Sequence, residues 1–163
     1  MNKVIFLDRD GVINKKPPKG DYVKNWREFK WLPDVKKAIK LANEAGFLVV
    51  VVSNQRGVAR GLMTKKDVDE INQKMVDELN GNGAKIDGIY WCGHDYSDNC
   101  DCRKPAPGLI LQAAKDFRID LANSWVIGDS GDDVAAGKTS GCKTYKIETN
   151  GSLIEAISKI IHE

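Results

Sequence analysis

Short apolar runs alternate along this chain with stretches in which apolar residues recur at helical spacing. Val4–Leu7 is an unbroken apolar run, the pattern of a strand buried on both faces. Leu48–Val52, Gly88–Trp91, Trp125–Ile127 and Thr144–Ile147 read as further strands. The β-branched run Val49–Val52 is the plainest candidate for a central position. Between them, Pro33-Asp34 opens a predicted helix that stops at Gly46, with Val35, Ala38, Ile39 and Ala42 as its apolar stripe. Thr64 is placed to cap a second helix, with Asp67 three residues on as the capping acid and Gly81-Asn82-Gly83 as the end. Leu109–Phe117, Val134–Thr139 and Leu153–Ile161 complete the helices. Strands alternating with helices predict βαβ units and a parallel sheet covered on both faces. Asn14–Trp31 and His94–Pro107 fit neither pattern and are expected to be loops, long enough to carry function.

Composition narrows the class. With 163 residues and no repeat or linker, residues 1–163 are expected to form one domain. A net charge of +2 offers no basic stripe for nucleic acid and no surface for anionic lipid. No segment reads as a signal peptide or membrane span, which predicts a cytoplasmic protein with no membrane partner. In that reducing setting the four cysteines are expected to be metal ligands or free thiols rather than disulfides.

Polar residues follow each predicted strand. Asp8 and Asp10 follow the first, Ser53-Asn54-Gln55 the second, and Cys92-Gly93-His94 the third, with Arg103-Lys104 downstream. Gly128-Asp129 follows the fourth. A parallel sheet brings all these ends to one edge, where open α/β sheets bind ligands. Asp8, Asp10 and Asp129 together make a hard, oxygen-rich site suited to Mg²⁺. With Lys104 beside them, the set suits phosphoryl transfer: one aspartate attacks phosphorus and the other carries the proton. Asp132 and Asp133 read equally well as first-turn helix acids or as part of this site. Cys92-x-His94 and Cys100-x-Cys102 pair as a tetrahedral, structural Zn²⁺ site that would brace the loop bearing Arg103 and Lys104. Cys142 is expected to be a core thiol, and His162 a solvated residue without a role.

These residues resemble the four motifs of the haloacid dehalogenase (HAD) superfamily of phosphatases, in order. They are Asp8-Arg9-Asp10-Gly11-Val12, Ser53-Asn54, Lys104, and Gly128-Asp129-Ser130-Gly131-Asp132-Asp133. The resemblance implies a Rossmann-like α/β fold with Asp8 as nucleophile, Asp10 as general acid and base, and Ser53 and Lys104 as phosphate ligands. It implies Mg²⁺ on the Asp8 carboxylate, the Asp10 main-chain carbonyl and Asp129. Ser53-Asn54-Gln55, Ala59-Arg60-Gly61 and Cys100-Asp101-Cys102-Arg103-Lys104-Pro105 further resemble a capless, zinc-bearing subgroup. That subgroup holds the heptose 1,7-bisphosphate 7-phosphatases and the histidinol-phosphate phosphatases. It implies a small phosphorylated sugar as substrate, specifically the 7-phosphate of D-glycero-D-manno-heptose 1,7-bisphosphate. Histidinol phosphate, or another small-molecule or polynucleotide phosphate, is the alternative. Gly20-Asp21-Tyr22-Val23 resembles the subgroup's substrate loop, so Tyr22, Asn54, Gln55 and Arg103 are expected at the substrate. In the heptose enzymes a basic residue often follows the fourth-motif aspartate. Here it is Ser130, which leaves one cation fewer for a second phosphate. A monomer is expected.

Overall fold

The computed structural model describes residues 1–163 and forms a single α/β domain. Five parallel strands, β1 (Val4–Leu7), β2 (Leu48–Asn54), β3 (Gly88–Cys92), β4 (Trp125–Gly128) and β5 (Lys143–Lys146), lie in the order β3-β2-β1-β4-β5. Five helices connect or follow them: α1 (Val35–Glu44), α2 (Lys65–Gly81), α3 (Gly108–Phe117), α4 (Gly131–Ser140) and α5 (Leu153–Ile161). No cap domain interrupts them. No helix is long and apolar enough to cross a membrane.

The sheet is buried from both sides because β1 and the first five residues of β2 are apolar throughout, and alternate residues serve opposite faces. Ile5, Leu7, Val49, Val51 and Ile127 join α1, α2 and α5 in the larger core. Val4, Phe6, Val50, Val52 and Val126 join α3 and α4 in the smaller one. Cys142 is buried in that second core as a free thiol. The chain winds one way through α1 and α2 to β3, then returns on the other face. The strand order therefore reverses between β1 and β4, the place where such sheets open a crevice.

Most predicted elements recur within a residue or two. The Thr64 capping box forms, with Thr64 Oγ1 accepting from the Asp67 N–H at 3.1 Å and Asp67 Oδ2 accepting from the Thr64 N–H at 2.8 Å. Three boundaries differ. Asp34 precedes α1 in the left-handed region (φ 61°) and makes no side-chain cap. α4 begins at Gly131, because Ser130 caps a polar first turn that carries no apolar signal. β5 falls one residue early, at Lys143–Lys146, with both end lysines exposed. The early loop is packed rather than loose: Val12, Ile13, Val23 and Phe29 are buried, and the Phe29 ring meets those of Trp26 and Trp31 at 4.7 and 5.1 Å.

Ile39 sits fully buried between the sheet and α5. Ile39→Ala should lower the urea midpoint with an unchanged slope, at a cost of about 2–5 kcal/mol for a buried aliphatic truncation.

Candidate active site

The carboxyl ends of β1, β2 and β4 open into a cleft of about 350 Å³. Asp8, Asp10, Asn54, Arg103, Lys104 and Asp133 line it, and the early loop contributes Lys16, Lys19 and Tyr22. Asp8 leaves β1 next to the reversal of strand order, and Asp129 leaves β4 on its other side. Gly11 permits their approach in two ways. Its φ of +92° suits glycine, and a Cβ there would lie 2.3 Å from Asp129 Oδ2.

At the floor lies a buried ammonium. Lys104 Nζ bonds the Val52 carbonyl at 2.8 Å, Asp133 Oδ1 at 2.5 Å and Asp8 Oδ1 at 3.1 Å. All three donors are used. Burial alone would lower its pKa, but Asp8 and Asp133 outweigh that effect and hold it above the usual lysine range. Asn54 brackets the same residue from the backbone, donating to the Lys104 carbonyl at 3.1 Å and accepting from its N–H at 3.0 Å.

The two aspartates of the opening motif are each held by one oxygen. Asp8 Oδ1 takes Lys104 and the Arg9 N–H (2.8 Å). Asp10 Oδ1 takes Arg9 Nε at 3.0 Å and Asn14 Nδ2 at 2.9 Å. In each case Oδ2 is left for the cleft. Arg9 itself is buried, with Nη1 on Asn72 of α2 at 3.1 Å. Burial, opposed by Lys104 and reinforced by the nearby carboxylates, raises Asp8 to about 7.

Asp8, Asp129 and Asp133 each present an oxygen within one cluster 4.8 Å across that could hold a metal ion. Asp129 Oδ1 is buried with no hydrogen-bond partner, while Oδ2 accepts from Thr149 Oγ1 at 3.0 Å and Lys16 Nζ at 3.2 Å. An all-carboxylate donor set with an unpartnered buried oxygen fits a hard divalent cation. Asp133 has a second duty that leaves it less free. It forms a capping box with Ser130, whose hydroxyl donates to Asp133 Oδ2 at 2.9 Å. Asp133 is the residue that sequence reasoning left unassigned: its cap was legible, its bond to Lys104 was not. Ser53 and Gln55 are buried and do not line the cleft; Gln55 Nε2 donates to Ser53 Oγ at 2.7 Å.

Cys92, His94, Cys100 and Cys102 converge as a second candidate metal centre. Cys92 Sγ lies 3.3 Å from His94 Nδ1, 3.6 Å from Cys100 Sγ and 2.9 Å from Cys102 Sγ, too far for a disulfide. Four soft or borderline donors at these separations fit one tetrahedral cation such as Zn²⁺. The loop they close carries Asp95 and Tyr96 outward and leads directly into Arg103 and Lys104. Arg56 Nε meets Asp95 Oδ1 at 2.6 Å and holds that carboxyl below its usual range.

Residues 101–162 match the HAD-hydrolase-like family. Together with relatives at 42% and 34% identity, this makes the chain a HAD-type phosphatase, a phosphoric monoester hydrolase. A D-glycero-beta-D-manno-heptose-1,7-bisphosphate 7-phosphatase of Rhodopseudomonas palustris is 42% identical over 150 residues, covering 88% of this chain and 82% of the relative. A D-glycero-alpha-D-manno-heptose-1,7-bisphosphate 7-phosphatase of Mycobacterium tuberculosis is 44% identical over 149 residues, covering 88% and 78%. The crystal structure of D,D-heptose 1,7-bisphosphate phosphatase from B. bronchiseptica, complexed with magnesium and phosphate, superposes with a TM-score of 0.85 at 34% identity, covering 96% of this chain and 86% of that one. The chain belongs to the heptose-1,7-bisphosphate 7-phosphatase family of the HAD superfamily.

The raised Asp8 pKa has a consequence for stability. The native state keeps a proton on Asp8 that the unfolded chain has lost between pH 3.8 and about 7, so this group's contribution falls as pH rises through that window. In chelator-treated protein, the stability difference between Asp8→Asn and wild type should therefore move in the variant's favour from pH 4 to pH 7 and level off above it, whatever the fixed cost of losing a Lys104 partner. Urea titrations at several pH values check this.

Proposed function

We propose that this chain hydrolyses the 7-phosphate of D-glycero-D-manno-heptose 1,7-bisphosphate through an aspartyl-phosphate on Asp8. The observation that carries the reading is the pair of half-held aspartates. Each spends Oδ1 on fixed donors and keeps Oδ2 for the cleft, beside a buried lysine. Asp8 Oδ2 attacks phosphorus as the bond to the sugar oxygen breaks. Asp10 gives its proton to that leaving oxygen, then takes one from the water that attacks the phosphoenzyme. Lys104 offsets charge on the transferring group without having to move. Mg²⁺, held by Asp8, Asp129 and the Asp10 main-chain carbonyl, supplies further neutralisation of phosphoryl charge when bound. Asn54 and Lys104 face the phosphate at the end of β2, and Ser53, its Oγ accepting from Gln55, lies buried behind them. Tyr22, Asn54 and Arg103 contact the rest of the substrate, and Arg103 offers a fork for a second phosphate.

Zn²⁺ on Cys92, His94, Cys100 and Cys102 has no step in this chemistry. Its task is to order a loop poor in apolar residues, so that Arg103 and Lys104 keep their places.

Two experiments test this reading. The first compares turnover of both anomers of the heptose bisphosphate with that of histidinol phosphate, with and without Mg²⁺. The bisphosphate should be preferred and turnover should need Mg²⁺, while Asp8→Asn should reduce it by at least about a thousandfold with the fold intact. An active Asp8→Asn enzyme would sink the covalent route, and a preference for histidinol phosphate would transfer the substrate. The second removes zinc with a chelator and restores Mg²⁺ alone. Turnover should fall, and amide exchange over residues 93–103 should quicken. Full activity after verified zinc loss would contradict the bracing role.

A further inference from the structure

The mouth of the cleft gathers Arg103 with two residues that the proposed chemistry does not use, Arg56 and Tyr96. Tyr96 is 64% exposed, unusual for an aromatic ring on a short ordered turn. Its ring is covered by two guanidinium groups rather than by apolar neighbours: Arg56 Cζ lies 4.3 Å from the ring centroid and Arg103 Cζ 4.2 Å. All three residues line the same cleft as Asp8 and Lys104. Two like charges gathered on one ring repel each other, and the ring's negative face offsets only part of that. The Asp95 carboxylate at 2.6 Å offsets more by taking Arg56 at Nε, and Tyr22 is a further hydrogen-bond partner of the Arg56 side chain. Arg103 Nη1 is buried with no hydrogen-bond partner. A cleft that gathers two guanidinium groups on one ring, one of them with an unpartnered nitrogen, is arranged for an anion with several acceptor oxygens.

We propose that Arg56 is a specificity-determining residue, pairing with Arg103 to grip the second phosphate of a bisphosphate substrate while Lys104 faces the phosphate being cleaved. The proposal rests on the bisphosphate reading above and adds a residue to it. Ser130 cannot take this part: it is uncharged, and its hydroxyl is committed to the Asp133 capping box. Arg56 instead brings the missing cation from the segment after β2. Asp95 and Tyr96 are positioning residues that fix the plane of its fork. Both lie between His94 and Cys100, so the metal-binding loop organises the second-phosphate grip as well as Arg103.

The test is the ratio of kcat/KM for the heptose 1,7-bisphosphate to that for the heptose 7-monophosphate, which keeps the scissile group and lacks the other. Arg56→Met should lower this ratio about ten- to hundredfold, the weight of lost charge-assisted hydrogen bonds, and the loss should fall on KM for the bisphosphate. Tyr96→Ala should lower it as well, whereas Tyr96→Phe keeps the ring and should keep the ratio. Zinc content and the urea midpoint of each variant confirm an intact fold. A wild-type preference that Arg56→Met leaves in place overturns the grip and spares the substrate reading. Wild-type protein that shows no preference, or turns over neither sugar, overturns both. Equal losses in Tyr96→Phe and Tyr96→Ala overturn the stacking role.

Discussion

The structure depends on one buried ammonium. Lys104 is 3% exposed, and its charge is tolerable only because Asp8 and Asp133 flank it and Val52 takes its third proton. The dependence is mutual, since removing any partner of such a set leaves an uncompensated buried charge. Four segments are thereby tied to one point: the end of β1, β2 at Val52, the loop after β3 and the first turn of α4. On the proposed reading, three of them also carry the reacting and neutralising groups. Stability and chemistry therefore make the same demand on the sheet edge.

Around that point the molecule uses two different means of ordering irregular chain. The early loop is held by apolar packing, with Val12, Ile13, Val23 and Phe29 buried beneath it. The loop after β3 has no comparable apolar content and gathers Cys92, His94, Cys100 and Cys102 instead. The two loops face each other across the cleft, one presenting Lys16, Lys19 and Tyr22, the other Tyr96 and Arg103. A domain without a cap has to build its substrate surface from such loops, and each needs its own source of rigidity.

Much of this was legible in the residues because it is local. An apolar run has the same meaning wherever it falls, so the strands followed from the apolar pattern and their parallel pairing from the alternation with helices. The close spacing of two Cys/His pairs announced a metal centre, and two aspartates after a buried strand announced a reactive edge. Other features were hidden for a physical reason. A helix whose first turn is Gly131-Asp132-Asp133 shows no apolar stripe there, so its start was read late. Gln55 looked like a cleft residue by its place after β2, yet the pleat turns it inward, onto Ser53.

The sequence by itself determined the class of fold, the acidic motif after β1 and the four donors of the Cys/His centre, since each is encoded within consecutive or closely spaced positions. Only the tertiary structure decided how charges are shared among distant segments. It alone joined Asp133 to Lys104, 29 positions away, and stacked Arg56 and Arg103 on one ring. Charge pairing acts through space and leaves no period in the chain. That is why the phosphatase class could be read from the residues, while the stacking of Arg56 and Arg103 on Tyr96 emerged only from their arrangement.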